Sequence, residues 1–189
     1  MTKDTLSADQ SDRPDRFQAD LGSELLRSRT LIVGPALDEK NYNLVIARLI
    51  FLQQQDSSQE ISLWINSDHS SEISALAICD VIDSLDCDLR TYCVGKAIGV
   101  SAVLLASGKK RTANRNSSIC LCQPSIKFSG NADDLGRTKR RIELARDRTA
   151  EILAGITSRS KSEILTAIDR EYWMSADEAR EYEIVDHVK

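Results

Sequence analysis

Three short stretches hold the residues with chemistry to offer. "CVGKAIGVSAVLLASG", Cys93 to Gly108, reads as an apolar strand, a small-residue turn and a buried helix. A strand that turns sharply into a buried helix often presents a nucleophile at the turn. This turn offers Gly99, with Ser101 two residues on. "CLCQP" sets Cys120 and Cys122 two residues apart, so in a strand both thiols face the same way. Such a thiol attacks only as a thiolate, which needs a base or an electropositive setting. "EYWMSADEA" places the carboxylate of Glu171 four residues before Ser175. Bases are scarce, because the chain has two histidines, His69 and His187. With so few imidazoles the C-x-C pair lacks the remaining ligands of a zinc site, and neither a metal nor a cofactor is expected. No GxxxxGK or GxGxxG phosphate loop occurs.

The elements that must position these residues alternate between strand and helix patterns. "RTLIVG" (Arg29 to Gly34) is a short apolar strand closed by Gly34 and Pro35. A helix follows, with Asp38 as its cap and apolar residues at Leu44, Val45, Ala47, Leu49, Ile50 and Leu52. "EISLWINS" alternates as a strand does, with Ile61, Leu63 and Ile65 on one face. Ser71 to Asp86 has helical periodicity, and "DLRTYCVG" is a third strand leading into the Gly99 turn. Two brief strands follow, then a connector broken by Pro124. Asn131 to Thr157 is the longest helix, capped by Asn131 or Asp133. Ser162 and Ser175 cap two more helices before a final strand. This alternation predicts an α/β fold.

Composition narrows the function classes. At 189 residues, 41% hydrophobic and 29% charged, the chain fits one soluble domain with an appendage. Residues 1–22 are polar and aperiodic and read as a mobile arm, and 23–189 read as one domain. A formal net charge of -4 offers no electrostatic case for nucleic acid. The basic stretch "GRTKRRIELARDR" is interleaved with acids and reads as a solvated helix face. No apolar run reaches the ~18 residues that span a bilayer. The N-terminus lacks an apolar signal region, and five cysteines without a secretory signal predict reduced thiols in a cytoplasmic protein.

From about Leu25 to Val188 the chain resembles, collinearly, the proteolytic subunit of the ATP-dependent Clp protease (ClpP). The resemblance is carried by "NYNLVIARLIFL", "EISLWINS", "CVGKAIGVSAVLLASG", "CQP" and "YWMSADEAREYEIVD" in order and at family spacing. It implies a crotonase-like fold of repeated ββα units with a protruding handle helix. It also implies heptameric rings stacked in pairs around a degradation chamber. The family works through a serine–histidine–aspartate triad, in which the serine attacks, the histidine takes its proton and the acid orients the imidazole. The matching positions here are Gly99, Cys122 and Glu171. The family's Ser-Pro-Gly-Gly-Ser loop, which helps hold the oxyanion, reads Ser67, Asp68, His69, Ser70, Ser71. If His69 and Ser70 are forced to positive φ in the glycines' place, each costs of order 1 kcal/mol.

Nucleophile, base and oxyanion loop thus change together, and the resemblance points to the catalytically silent, ClpR-type members. The expectation is a non-catalytic ring subunit, in homomeric or mixed rings with active Clp subunits, reaching a Clp ATPase through the mixed ring. Trp64 is the one aromatic kept at three partner-docking positions, Ser62 and Ser84 being the others. Arg170, Glu171 and Tyr172 occupy the positions of ring-to-ring contact, and the helix of residues 131–157 corresponds to the handle. Two alternatives stay open. One is an active hydrolase with a relocated nucleophile, either Ser101 or Cys122 served by His69. A two-residue shift turns a helical side chain by about 200°, which favours packing for Ser101. The other is an acyl-CoA enzyme using Glu171 as base.

Overall fold

The computed structural model describes residues 21–34, 36–37, 39–70, 72–123 and 132–189, with side chains at all but 36–37, 39–40, 69–70, 72–74 and 132–135. The expected arm through residue 20, the caps Asp38 and Asn131, and the break at Pro124 lie outside the described residues.

Five strands form an all-parallel sheet: β1 (Thr30–Val33), β3 (Ile61–Ser67), β5 (Leu89–Ile98), β6 (Lys110–Ala113) and β9 (His187–Val188), in the order β1-β3-β5-β6-β9. β7 (Ser118–Leu121) joins the end of β5, and β8 (Tyr172–Ser175) pairs antiparallel with β7. β2 (Ala36–Leu37) and β4 (His69–Ser70) make a separate parallel pair. The helices are α1 (residues 21–27), α2 (Glu39–Gln55), α3 (Glu72–Asp83), α4 (Val100–Ala106), α5 (Ala132–Ile156), α6 (Lys161–Asp169) and α7 (Ala176–Glu181). The mixed α/β class expected from the alternation is what forms.

The period-2 pattern of β3 decides which sheet face is covered. Ile61, Leu63 and Ile65 are all fully buried, and their neighbours Leu31, Val33, Leu89 and Cys93 join them in one core. The same core takes Leu49 and Leu52 from α2, Ile78 from α3 and Leu104 and Leu105 from α4. Burying one such aliphatic side chain contributes roughly 1.5–3 kcal/mol. Arg29 fastens the edge of this layer. Its guanidinium donates to the carbonyl oxygens of Leu52, Asp56 and Gln59 at 2.9, 3.0 and 3.0 Å, and through Nε to Glu60 at 3.3 Å. These oxygens lie at and beyond the C-terminus of α2, where helical carbonyls lack partners.

β5 does not run straight, and its bend builds the site. Cys93 is level with Ile65, but Ala97 is level with Ser67, so β5 carries extra residues there. Gly95 sits in this bulge at φ +88, and a Cβ on it would lie 3.0 Å from Asn66 Oδ1. Before the bulge β5 pairs with β6, and after it Lys96–Ile98 pair with β7. Bulges bend a strand and re-aim the residues beyond them.

Two helix boundaries differ from expectation. α3 ends at Asp83, three residues before Asp86, because Ser84 and Leu85 N–H groups close tight turns onto Val81 and Ile82. The cap of α6 is Ser160 and not Ser162. The Glu163 carboxylate accepts from Ser160 N–H at 2.8 Å while Ser160 Oγ accepts from Glu163 N–H, a reciprocal box that only the earlier serine can make. Asp133 lies inside α5, one residue past its start, and is not its cap.

Candidate functional site

The bend in β5 delivers Gly99 to the start of α4 at φ 61, ψ -124, with no side-chain cap. Gly99 N–H donates to the Cys120 carbonyl at 2.8 Å, and its own carbonyl accepts from Ala102 N–H at 3.0 Å. All seven residues of α4 are buried, so packing holds the turn in place. This is the backbone of a nucleophile elbow, carrying a residue without a side chain.

Cys122 is the immediate neighbour. A Cβ built on Gly99 would stand 3.3 Å from Cys122 Sγ. In the β7–β8 ladder Leu121 is level with Tyr172, which brings Cys122 beside Glu171 at the turn into β8. Glu171 itself has φ 51, a left-handed backbone held where α6 ends and β8 begins. The three positions singled out from sequence, 72 residues apart from Gly99 to Glu171, therefore meet at one place.

The two thiols are held neutral. Burial pushes Cys120 up to about 12, and the charges of Cys122 and Glu171 push the same way. Burial also raises Cys122, a hydrogen bond with Cys120 opposes this, and the Glu171 charge adds to it. A negative carboxylate beside a half-buried thiol is the reverse of what makes a cysteine nucleophilic. Ser101 is fully buried within α4, where its oxygen meets no solvent. The His69 side chain lies outside the described ones, and His187 is exposed at β9, level with Thr112.

Residues 67–70 take a form that the sequence does not suggest. His69 and Ser70 run as strand β4, level with Ala36 and Leu37 of β2. An extended backbone needs no positive φ, so the strain expected for non-glycine residues in this loop does not arise. Just before them Asp68 pairs with Lys96 across the β3–β5 bulge. Sequence reasoning missed Lys96, because a 28-residue separation becomes a contact only once the bulge sets the register. On the other side Gln123 Nε2 donates to Asp169 at 2.8 Å, and Asp169 also meets Arg146 of α5 at 3.1 Å. Gln123 is thereby tied to α6 and, through Asp169, to α5. Among the described residues no group of three or more His, Cys, Asp or Glu could hold a metal ion.

A parallel sheet, a glycine elbow into a buried helix, and a Cys122 thiol beside a carboxylate from the α6–β8 junction make up one architecture. Set against models of protein families, residues 13–189 match Clp protease. The chain belongs to the Clp protease family. Its membership gives it a role in Clp-type proteolysis and serine peptidases as relatives. Among the described residues no helix is long and apolar enough to cross a membrane.

The other Clp positions singled out from sequence lie on exposed parts of the described surface. Trp64 is 38% exposed and stacks on Tyr92, ring centroids 4.8 Å apart. Arg170 caps the C-terminus of α6 and is exposed, as are Glu171 and Tyr172. α5 is the longest helix, 25 residues, as its periodicity predicts. None of residues 136–144 is buried, and Leu144 is 53% exposed, whereas Ala145, Ala150 and Leu153 are in the interior.

Proposed function

We propose that this chain is a non-catalytic subunit of a Clp-type proteolytic core, built into rings with active Clp subunits in the cytoplasm. The observation that carries the reading is Gly99 at the elbow with Cys122 against it. The turn that should present a hydroxyl to an imidazole presents a hydrogen atom to a neutral thiol. Serine-peptidase chemistry needs a nucleophile and a base in contact, and losing either costs nearly as much as losing both. The stretch 136–144 of α5, none of it buried, supports its role as the ring-joining handle of a crotonase-like ββα fold. The positions of Arg170, Glu171 and Tyr172 mark the ring-to-ring contact. Trp64 marks the partner-docking face toward a Clp ATPase. Residues 1–20 are read as an arm ahead of this domain, Leu21 and Gly22 belonging to α1 and not to the arm expected through residue 22.

Two measurements test the reading. Purified alone, the chain is expected to hydrolyse no fluorogenic peptide, to form no adduct with serine-directed electrophiles at Ser101, and to react with cysteine-directed ones at Cys122 no faster than its unfolded form does. Co-expressed with the other Clp proteolytic subunits of its host, it is expected in mixed rings by native mass spectrometry. A chain that stays monomeric and never co-purifies overturns the assembly, and peptide turnover by the chain alone overturns the silence. The double change Gly99→Ser with Cys122→His is expected to remain inactive, because His69 and Ser70 stay extended in β4.

A further inference from the structure

Cys79 meets the Ser107 hydroxyl at 3.3 Å, and Cys93 is hydrogen-bonded to the Ser117 hydroxyl. Cys120 and Cys122 instead meet each other, the Cys120 S–H donating to Cys122 Sγ. The contact follows from β7. Cys120 lies inside that strand and Cys122 one residue past its end, and the period-2 alternation puts both thiols on one side. Extended residues two apart have Cα atoms about 6.6 Å apart. Disulfides join Cα atoms about 4.4–6.8 Å apart, so this pair is within bridging reach. The β7–β8 ladder ends at Leu121, which leaves Cys122 free to shift while the pairing stays. Access differs between the two. Cys120 is 1% exposed, whereas Cys122 is half-buried. Among the described residues, Cys122 Sγ is the one atom outside the adjoining chain within 4 Å of a Cβ built on Gly99. The side chain missing from the elbow therefore leaves space beside the more accessible sulfur.

We propose that Cys120 and Cys122 form a reversible oxidation site, closed to an intramolecular disulfide by oxidised glutathione. The Cys122 thiolate attacks one sulfur of the oxidant, the oxidant's S–S bond breaks, and one glutathione leaves as a thiolate that takes up a proton. Cys120 then gives its proton to solvent and attacks Cys122 Sγ. The mixed disulfide breaks and the second glutathione leaves. Two cysteine thiols are oxidised and one glutathione disulfide is reduced to two thiols. The Cys120 hydrogen bond eases ionisation of Cys122, while burial and Glu171 oppose it, so the exchange is slow. The same neutrality favours the oxidised form at equilibrium, because strongly oxidising dithiols owe their potential to a stabilised reduced state. Dithiols of this kind in a reducing compartment act as transient sensors. The Cys120 carbonyl holds Gly99 N–H at 2.8 Å, and Cys120 is level with Trp173, which is 54% exposed. Closure of the bridge is therefore felt at the elbow and at Trp173. The inference goes beyond the subunit reading and needs neither a ring nor a partner.

The test equilibrates the full folded chain at about pH 8 across a series of reduced and oxidised glutathione ratios. Samples are quenched in acid, alkylated in denaturant and digested with trypsin. Cleavage after Arg115 and Lys127 releases residues 116–127, which carry Cys120 and Cys122 and no other cysteine. Mass spectrometry is expected to find this peptide unalkylated and lighter than the dithiol form by two hydrogens, in a single two-electron transition. The folded chain should reach its midpoint with about ten-fold less oxidised glutathione than the urea-unfolded chain, because the fold keeps the two thiols in contact. With Trp64→Phe, which leaves Trp173 as the sole indole, fluorescence should change with the same midpoint. Cys120→Ser should stop at a glutathione adduct on Cys122, and Cys122→Ser should leave Cys120 unmodified. The wild-type chain decides the matter whether or not the variants fold. Equal midpoints for folded and unfolded chain overturn the proposal. So does a folded wild-type chain that stays fully reduced, that halts at the Cys122 adduct, or that links to a second molecule instead.

Discussion

Two of the chain's strand-to-helix turns differ in what holds them. At β8–α7 the cap is Ser175, with φ -65, whose Oγ accepts from Glu178 N–H while the Glu178 carboxylate accepts from Ser175 N–H. Four neighbouring residues make that turn, and it is solvent-exposed. At β5–α4 the cap is Gly99, with positive φ and no side-chain bond, and all of α4 is buried. The first turn is written locally and tolerates exposure. The second is imposed by the bulge at Gly95, by β7 and by the core above it. A site can lose its reactive side chains and keep its shape only where shape has this second kind of support.

The comparison can be broken hardest in the core. Leu104→Ala, in fully buried α4, is expected to cost roughly 2–5 kcal/mol in chemical denaturation, because the surroundings cannot close on the cavity. Gly99→Val should cost about 1–3 kcal/mol, since a β-branched residue must hold positive φ with its Cβ against Cys122. A loss for Gly99→Val no larger than that for Ser175→Ala would show the elbow to be locally relaxed. Ser175→Ala itself should cost about 1 kcal/mol, the usual worth of a helix cap, and should leave the elbow unchanged.

Thiol chemistry sharpens the same contrast by a smaller effect. The folded-state thiol of Cys120 is raised to about 12 by burial, above its unfolded value, so folding favours the protonated form. Its stabilising contribution is complete below the unfolded thiol's pKa and is lost as pH rises from there toward 12. Cys120→Ser should flatten this alkaline slope of a stability-versus-pH curve. Alkylation of native Cys122 at pH 7 should be slower than in the unfolded chain and should recover on adding denaturant. The β6–β9 end supplies the opposite sign. Burial opposes ionisation of Asp186, but Arg111's hydrogen bonds and charge outweigh it and hold the carboxyl below its ordinary range. That contribution is present above the unfolded carboxyl's pKa and is lost as pH falls through the folded one, so Asp186→Asn should flatten the acid limb.

Much of this was legible in residue order. Ile61, Leu63 and Ile65 announce a half-buried strand, and all three are interior. Ser175 with Glu178 announces a helix start, and that box is formed. The elbow's strand, turn and buried helix can be read directly from Cys93 to Gly108. Ser160 and Ser162 could not be separated by type alone, since both precede helical residues, and the choice rests on which one Glu163 reaches. Asp68 with Lys96 stayed invisible because a bulge shifts the register between their strands. Tyr92 was hidden as well, for its pairing with Trp64 depends on two strands lying side by side.

By itself the sequence determined the α/β class, the elbow, the absence of a side chain at Gly99 and the cysteine at position 122. Each is either a local pattern or a matter of residue identity, and neither needs a neighbour from afar. Only the tertiary structure decided that Cys122 lies against Gly99, that Glu171 helps keep the thiols protonated, that His69 and Ser70 run as a strand, and that one sheet face carries Ile32 and Trp64 into solvent. Those outcomes depend on register, burial and the bend at Gly95, which arise when segments tens of residues apart compete for the same space.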